Sequence, residues 1–155
     1  MALFPMRQRL LYLIAFANGA ILMGVEILGS RVLAPSFGNT IFVWGSLIGV
    51  FMGGMALGYY FGGWLGDRWP RDSALAALLA VPALYLLFFP LWAAPFCELL
   101  ADLDLGLRAG PLAASILLFL FPTLFMGAVS PFLFVLIFHD MKRAGRSVGA
   151  LYAVS

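Results

Sequence analysis

Long apolar runs alternate with brief polar interruptions along this chain. Four runs dominate, over residues 10–33, 41–66, 73–96 and 111–138. Each exceeds the roughly 20 residues that an α-helix needs to cross the hydrocarbon core of a bilayer. Lipid offers no partner to backbone N–H and C=O groups, so a spanning segment closes its hydrogen bonds internally as a helix. The pattern therefore predicts an all-α integral membrane bundle of four transmembrane helices, forming one transmembrane domain over residues 1–155. A further apolar segment, 147–155, is too short to span and is expected to begin a fifth helix. Arg7 and Arg9 precede the first run much as a signal peptide's basic region would. That run is longer than the about 7–15 residues of a signal core, so a retained first span is expected.

Composition agrees with lipid as the solvent. Hydrophobic residues make up 64% of the chain and charged residues 10%. Soluble domains carry about 25% charged residues. So few charges cannot cover a water-facing surface, and the bilayer is the first expected partner. The net charge of +2 is spread over the loops, which argues against a nucleic-acid partner. Cys97 is the sole cysteine, so an internal disulfide and a multi-cysteine metal site are both ruled out. His139–Asp140 stands without a nucleophile motif, a phosphate loop or a metal-ligand cluster, and reads as an interfacial feature. No metal, no cofactor and no enzymatic activity are expected.

The placement of charge orients the spans. Nine residues are basic. Arg7, Arg9, Arg68, Arg71, Lys142, Arg143 and Arg146 fall on one side if the helices alternate. Arg31 and Arg108 fall on the other, near Glu98, Asp102 and Asp104. The positive-inside rule then puts the N-terminus and the Arg68 loop in the cytoplasm. A multi-pass protein of the cytoplasmic (inner) membrane is expected. Trp44, Trp64, Trp69 and Trp92 lie toward the predicted span ends, where aromatic anchors collect. Pro82, Pro90, Pro122 and Pro131 lie within spans and can kink them.

Glu26 is the ionisable residue set well inside a predicted span, and such residues usually face protein or water. At 100° per residue, Ala15, Asn18, Leu22, Glu26 and Gly29 share one stripe roughly 80° wide. This small, polar stripe is expected to face the bundle. Glu26 and Asn18 are the intramembrane polar candidates. Glu26 would bind a cationic solute, relay a proton, or pair with a polar group on another helix. Arg31 lies about 140° around the helix from Glu26 and is expected to reach for the outer headgroups.

The second span carries two glycine rows. Gly45, Gly49 and Gly53 form one; Gly54, Gly58, Gly62 and Gly66 form the other, on the roughly opposite face. Rows of small residues let backbones approach closely, so a partner is expected on each face. After this span comes Gly63-Trp64-Leu65-Gly66-Asp67-Arg68-Trp69-Pro70-Arg71. A carboxylate beside two guanidinium groups at a helix end can form an electrostatic latch.

This turn resembles the loop between helices two and three of major facilitator superfamily transporters. The likeness implies that Gly63, Asp67, Arg68 and Arg71 belong to an inward gate; Pro70 stands where that family usually has glycine. A wider likeness runs through residues 26–35, 37–39, 43–50, 122–131 and 149–155. These segments resemble the membrane part of fused transporter/spermidine synthase-like proteins. That resemblance implies the first part of a transporter-like lobe. Such proteins generally continue into more spans and a soluble aminopropyltransferase-like domain, and this sequence carries neither. The expected function is a transporter-like module acting on a small-molecule solute. The competing expectation is an accessory or structural subunit of a larger membrane complex, joined to other membrane subunits or to itself.

Overall fold

The computed structural model describes residues 6–138. His139, Asp140, the cluster Lys142, Arg143 and Arg146, and the expected partial helix 147–155 lie outside the described residues. Helix α1 spans Met6–Phe37, α2 Ile41–Arg68 and α3 Asp72–Asp102. The fourth span is one continuous helical path in three pieces. These are α4 (Gly106–Ser115), a π-helical stretch (Ile116–Leu120) and α5 (Phe121–Phe138). Four helices are thus long and apolar enough to cross a membrane, and the fold is an all-α membrane bundle. Helix α1 runs about a turn beyond its apolar run at both ends, as do the end of α3 and the start of α4, because flanking residues continue the backbone hydrogen-bonding into the interface.

Short connections reverse the chain. Gly38 takes φ +74°, a left-handed conformation open to glycine, and its N–H bonds the Ala34 carbonyl at 2.9 Å. That closes α1 and turns the chain into α2. Helix α2 ends at the Trp69–Pro70 pair, since a residue before proline is driven out of the helical region. At the opposite end, Gly106 (φ +81°) turns the chain out of α3 and into α4.

The fourth span is the centre of the bundle. Within its most apolar window 56% of residues are buried, against 17%, 33% and 22% for the first three spans. The other helices pack around it and turn their outer faces, with residues such as Leu13, Tyr60 and Leu87, away from the bundle. Two apolar cores result. One gathers Leu11, Leu78, Phe132 and Leu136 around α5. The other gathers Leu33, Leu47, Phe51 and Phe119 around the π-helical stretch.

Helices α2 and α5 run parallel and nearly in contact. A Cβ placed on Gly58 would strike the Leu124 carbonyl oxygen, and one on Gly62 the Ala128 carbonyl oxygen. At Gly54 it would lie 3.0 Å from Thr123, and at Gly66 2.9 Å from Val135. Lipid provides no hydrophobic drive to join helices, so close backbone packing of this kind carries the association. The second row behaves differently. Gly45, Gly49 and Gly53 are exposed, and nothing lies within 4 Å of where their side chains would be. Within the described residues, α2 therefore packs on one glycine face only.

Helix α3 presents an aromatic ladder to the π-helical stretch and the start of α5. Tyr85 meets Phe121 at 5.3 Å between ring centroids, and Phe89 meets Phe119 at 5.5 Å. Trp92 packs edge-on to Tyr85 and Phe89. Because α3 continues to Asp102, Trp92 belongs to this ladder and not to a span end, as its place in the sequence had suggested. Pro82, Pro90 and Pro95 all lie inside α3 without interrupting it. The departure from α-helical geometry falls just ahead of Pro122 in the central span.

Candidate functional site

Helix α1 turns its small, polar stripe inward. Ala15, Asn18 and Gly29 are buried, while Leu22 and Glu26 are half-buried. At Gly29 an added Cβ would lie 3.1 Å from Leu47 and 3.2 Å from Phe119, so α1 sits closely on α2 and the central span there. Asn18 lies close to halfway between Arg9 and Arg31. Its Nδ2 donates to the Met126 carbonyl of α5 at 3.0 Å. A buried amide that bonds backbone across helices has both a structural and a polar role.

Between α1, α2 and α5 the bundle leaves a cavity of about 370 Å³. Helix α1 contributes Asn18, Met23 and Glu26 to its wall; α2 contributes Met55 and Tyr59; α5 contributes Met126, Gly127 and Ser130. Among the described residues, the Glu26 carboxylate forms no hydrogen bond or ion pair and no basic side chain lines the cavity. Glu26 lies about 7–8 Å along the helix from Arg31, within the span and not at its rim. Arg31 is exposed, in keeping with a side chain that reaches the headgroups.

Local chemistry adds acceptors to the site. Pro131 has no N–H to give the Gly127 carbonyl four residues before it. Ser130 and Tyr59 add hydroxyls, the latter 3.9 Å from the Met55 sulfur. Glu26 and Asn18 stand out in the sequence as site residues, whereas Tyr59, Gly127 and Ser130 do not. The Ser130–Pro131 pair, a hydroxyl beside a helix-breaking residue inside a span, was the one available signal. Asn18 and Met126 also line a second, apolar groove of about 220 Å³ between α1 and α3. The Asn18–Met126 bond thus forms the wall between two openings.

The turn after α2 is solvent-facing. Asp67, Arg68 and Arg71 are exposed, and Gly63 is half-buried with open space where a side chain would be. The Arg68 guanidinium lies 5.7 Å from the Trp69 ring, and Trp69 meets Trp64 edge-on at 6.4 Å. Among the described residues Asp67 forms no ion pair; the carboxylate that does is Asp72, held by Arg7 Nη2 at 2.9 Å. That pair joins the start of α1 to the start of α3. It places both ends on one face of the bundle, as alternation of the spans requires.

No group of three or more histidine, cysteine or acidic side chains able to hold a metal occurs among the described residues. Comparison with known protein families, curated proteins and solved structures finds no match for this chain.

Proposed function

We propose that this chain is a transporter-like transmembrane module that handles a small solute and performs no catalysis of its own. It would sit in the cytoplasmic membrane with its N-terminus inside, as the bias of basic residues indicates. The reading rests on one observation above all: a half-buried carboxylate, Glu26, faces a cavity within the spans and has no counter-ion there among the described residues. Intramembrane carboxylates are costly and mark ion, proton or solute paths. The likeness of residues 63–71 to a major facilitator gate, and of the wider chain to transporter/spermidine synthase-like fusions, points the same way. The test is solute flux in proteoliposomes holding the purified chain, with Glu26→Gln beside it. Flux lost in the variant supports the reading, and flux unchanged by it counts decisively against.

A second reading, an accessory subunit of a larger membrane complex, is favoured by a different observation. The Gly45–Gly49–Gly53 row of α2 is open to a neighbour. Mild extraction from native membranes tests it. Stoichiometric partner chains support the subunit reading, and a monodisperse, partner-free monomer rejects it.

A further inference from the structure

We infer that the solute of the Glu26 cavity is a small primary alkylammonium ion. The inference rests on reading that cavity as a solute site and goes on to its chemistry.

Charge comes first. Among the described residues, the wall of the cavity holds one carboxylate and no basic side chain. A lone carboxylate in a low-dielectric setting attracts a cation far more strongly than it would in water. An anionic solute would meet repulsion with no compensating donor charge, and a neutral one would leave the carboxylate unmatched.

Shape and polarity then choose among cations. The cavity, at about 370 Å³, lies within the range of small-molecule sites, roughly 300–1,000 Å³. A bare metal ion would leave nearly all of it empty. Hard cations such as calcium also call for about six to eight oxygen ligands packed around a point. Here Leu22, Met23, Met55 and Met126 supply much of the lining. Methionine fills irregular spaces and adapts to flexible apolar groups. The oxygen acceptors are few and of mixed kind: the Glu26 carboxylate, the Asn18 amide oxygen, and the Ser130 and Tyr59 hydroxyls. A primary ammonium has three N–H donors for such acceptors. Its hydrocarbon tail would lie against the methionines and Leu22. One ligand class thereby uses both halves of the lining.

The test is calorimetric titration of the full chain in lipid nanodiscs with n-butylammonium, and with butyrate, n-butanol and sodium as comparators. Saturable binding of butylammonium, with none for butyrate or butanol and no competition by sodium, is the expected result. Glu26→Gln should weaken that binding by about tenfold or more, because the charge-assisted bond is lost. Met23→Trp is the second variant. Met23 is 65% exposed at the mouth, so a larger side chain there obstructs entry without disturbing the packed interior. Absence of butylammonium binding, equal competition by sodium, or binding untouched by both variants overturns the inference. Proteoliposome flux separates it from the broader reading. Butylammonium that binds through Glu26 but does not cross rejects transport and leaves the site. Glu26-dependent flux of an anion or neutral solute, without ammonium binding, rejects the ligand class and leaves transport.

Discussion

The Tyr85 hydroxyl on α3 donates a 2.9 Å hydrogen bond to the Leu118 carbonyl in the π-helical stretch of the central span. Leu118 lies four residues before Pro122, which has no N–H to offer it. A neighbouring helix thus supplies the donor that the proline removed, as lipid-buried backbone requires. Thr123 adds its own hydroxyl to the next carbonyl, that of Phe119, at 2.6 Å. The break in the fourth span is therefore held from outside by α3 and from inside by Thr123.

Tyr85→Phe keeps the ring in the aromatic ladder and removes only the donor. The expected loss is about 0.6 kcal/mol, the average for interhelical hydrogen bonds in membranes, and no more than about 1.7 kcal/mol. Unfolding in mixed micelles measures it. Stability equal to the parent would mean that the Leu118 carbonyl finds another donor.

The two glycine rows of α2 should respond in opposite ways. Gly58→Ala and Gly62→Ala place a methyl group against the backbone of α5, and each is expected to cost about 1–3 kcal/mol as α2 and α5 separate. Gly49→Ala and Gly53→Ala meet open space and should leave the isolated chain's unfolding midpoint unchanged. A Gly49→Ala variant as damaged as Gly62→Ala would show that the outer row is already covered.

Asn18→Leu conserves bulk but deletes the bond to the Met126 carbonyl. A loss of about 1 kcal/mol is expected in the same assay. Asn18 also walls the Glu26 cavity, so the variant should lower solute flux beyond what its stability change explains. Wild-type flux in a stably folded Asn18→Leu protein would remove Asn18 from the solute path.

The Arg7–Asp72 pair makes a claim about topology and little about energy. Its side chains are 47% and 69% exposed, so Asp72→Asn should change stability by less than about 1 kcal/mol. Single cysteines at positions 7 and 72 should react with a membrane-impermeant maleimide from the same side. A cysteine at Thr40 should react from the other. Cys97 is buried, which keeps the background low. Labelling of positions 7 and 72 from opposite sides would overturn the four-span arrangement.

The polar site was partly legible in advance. Glu26 and Asn18 stand out because a charge and an amide in an apolar run are rare and costly, and helical periodicity alone puts them on one stripe with Ala15 and Gly29. Tyr59 and Ser130 were not legible as partners of that stripe. They come from helices that are distant in sequence, and their approach depends on how α2 and α5 cross α1. The latch expected at Asp67 shows the same limit. Spacing brings Asp67 near Arg68 and Arg71, yet among the described residues the carboxylate that pairs on this face is Asp72, because the start of α1 lies beside α3 there.

The sequence by itself determined the solvent and the secondary structure. Apolar runs longer than the bilayer is thick leave helix as the only backbone arrangement with its hydrogen bonds satisfied. It also set the number of described spans and the inward face of α1. Tertiary structure alone decided which span is central, which glycine row is packed and where the cavity lies. Both rows of α2 have the same small-residue pattern, and nothing in that pattern says which will meet a backbone. The choice fell to Gly54, Gly58, Gly62 and Gly66, because α5 offers Thr123, Ala128 and Val135 at a matching rise. In lipid such shape complementarity between helices, and not burial from water, selects the partner.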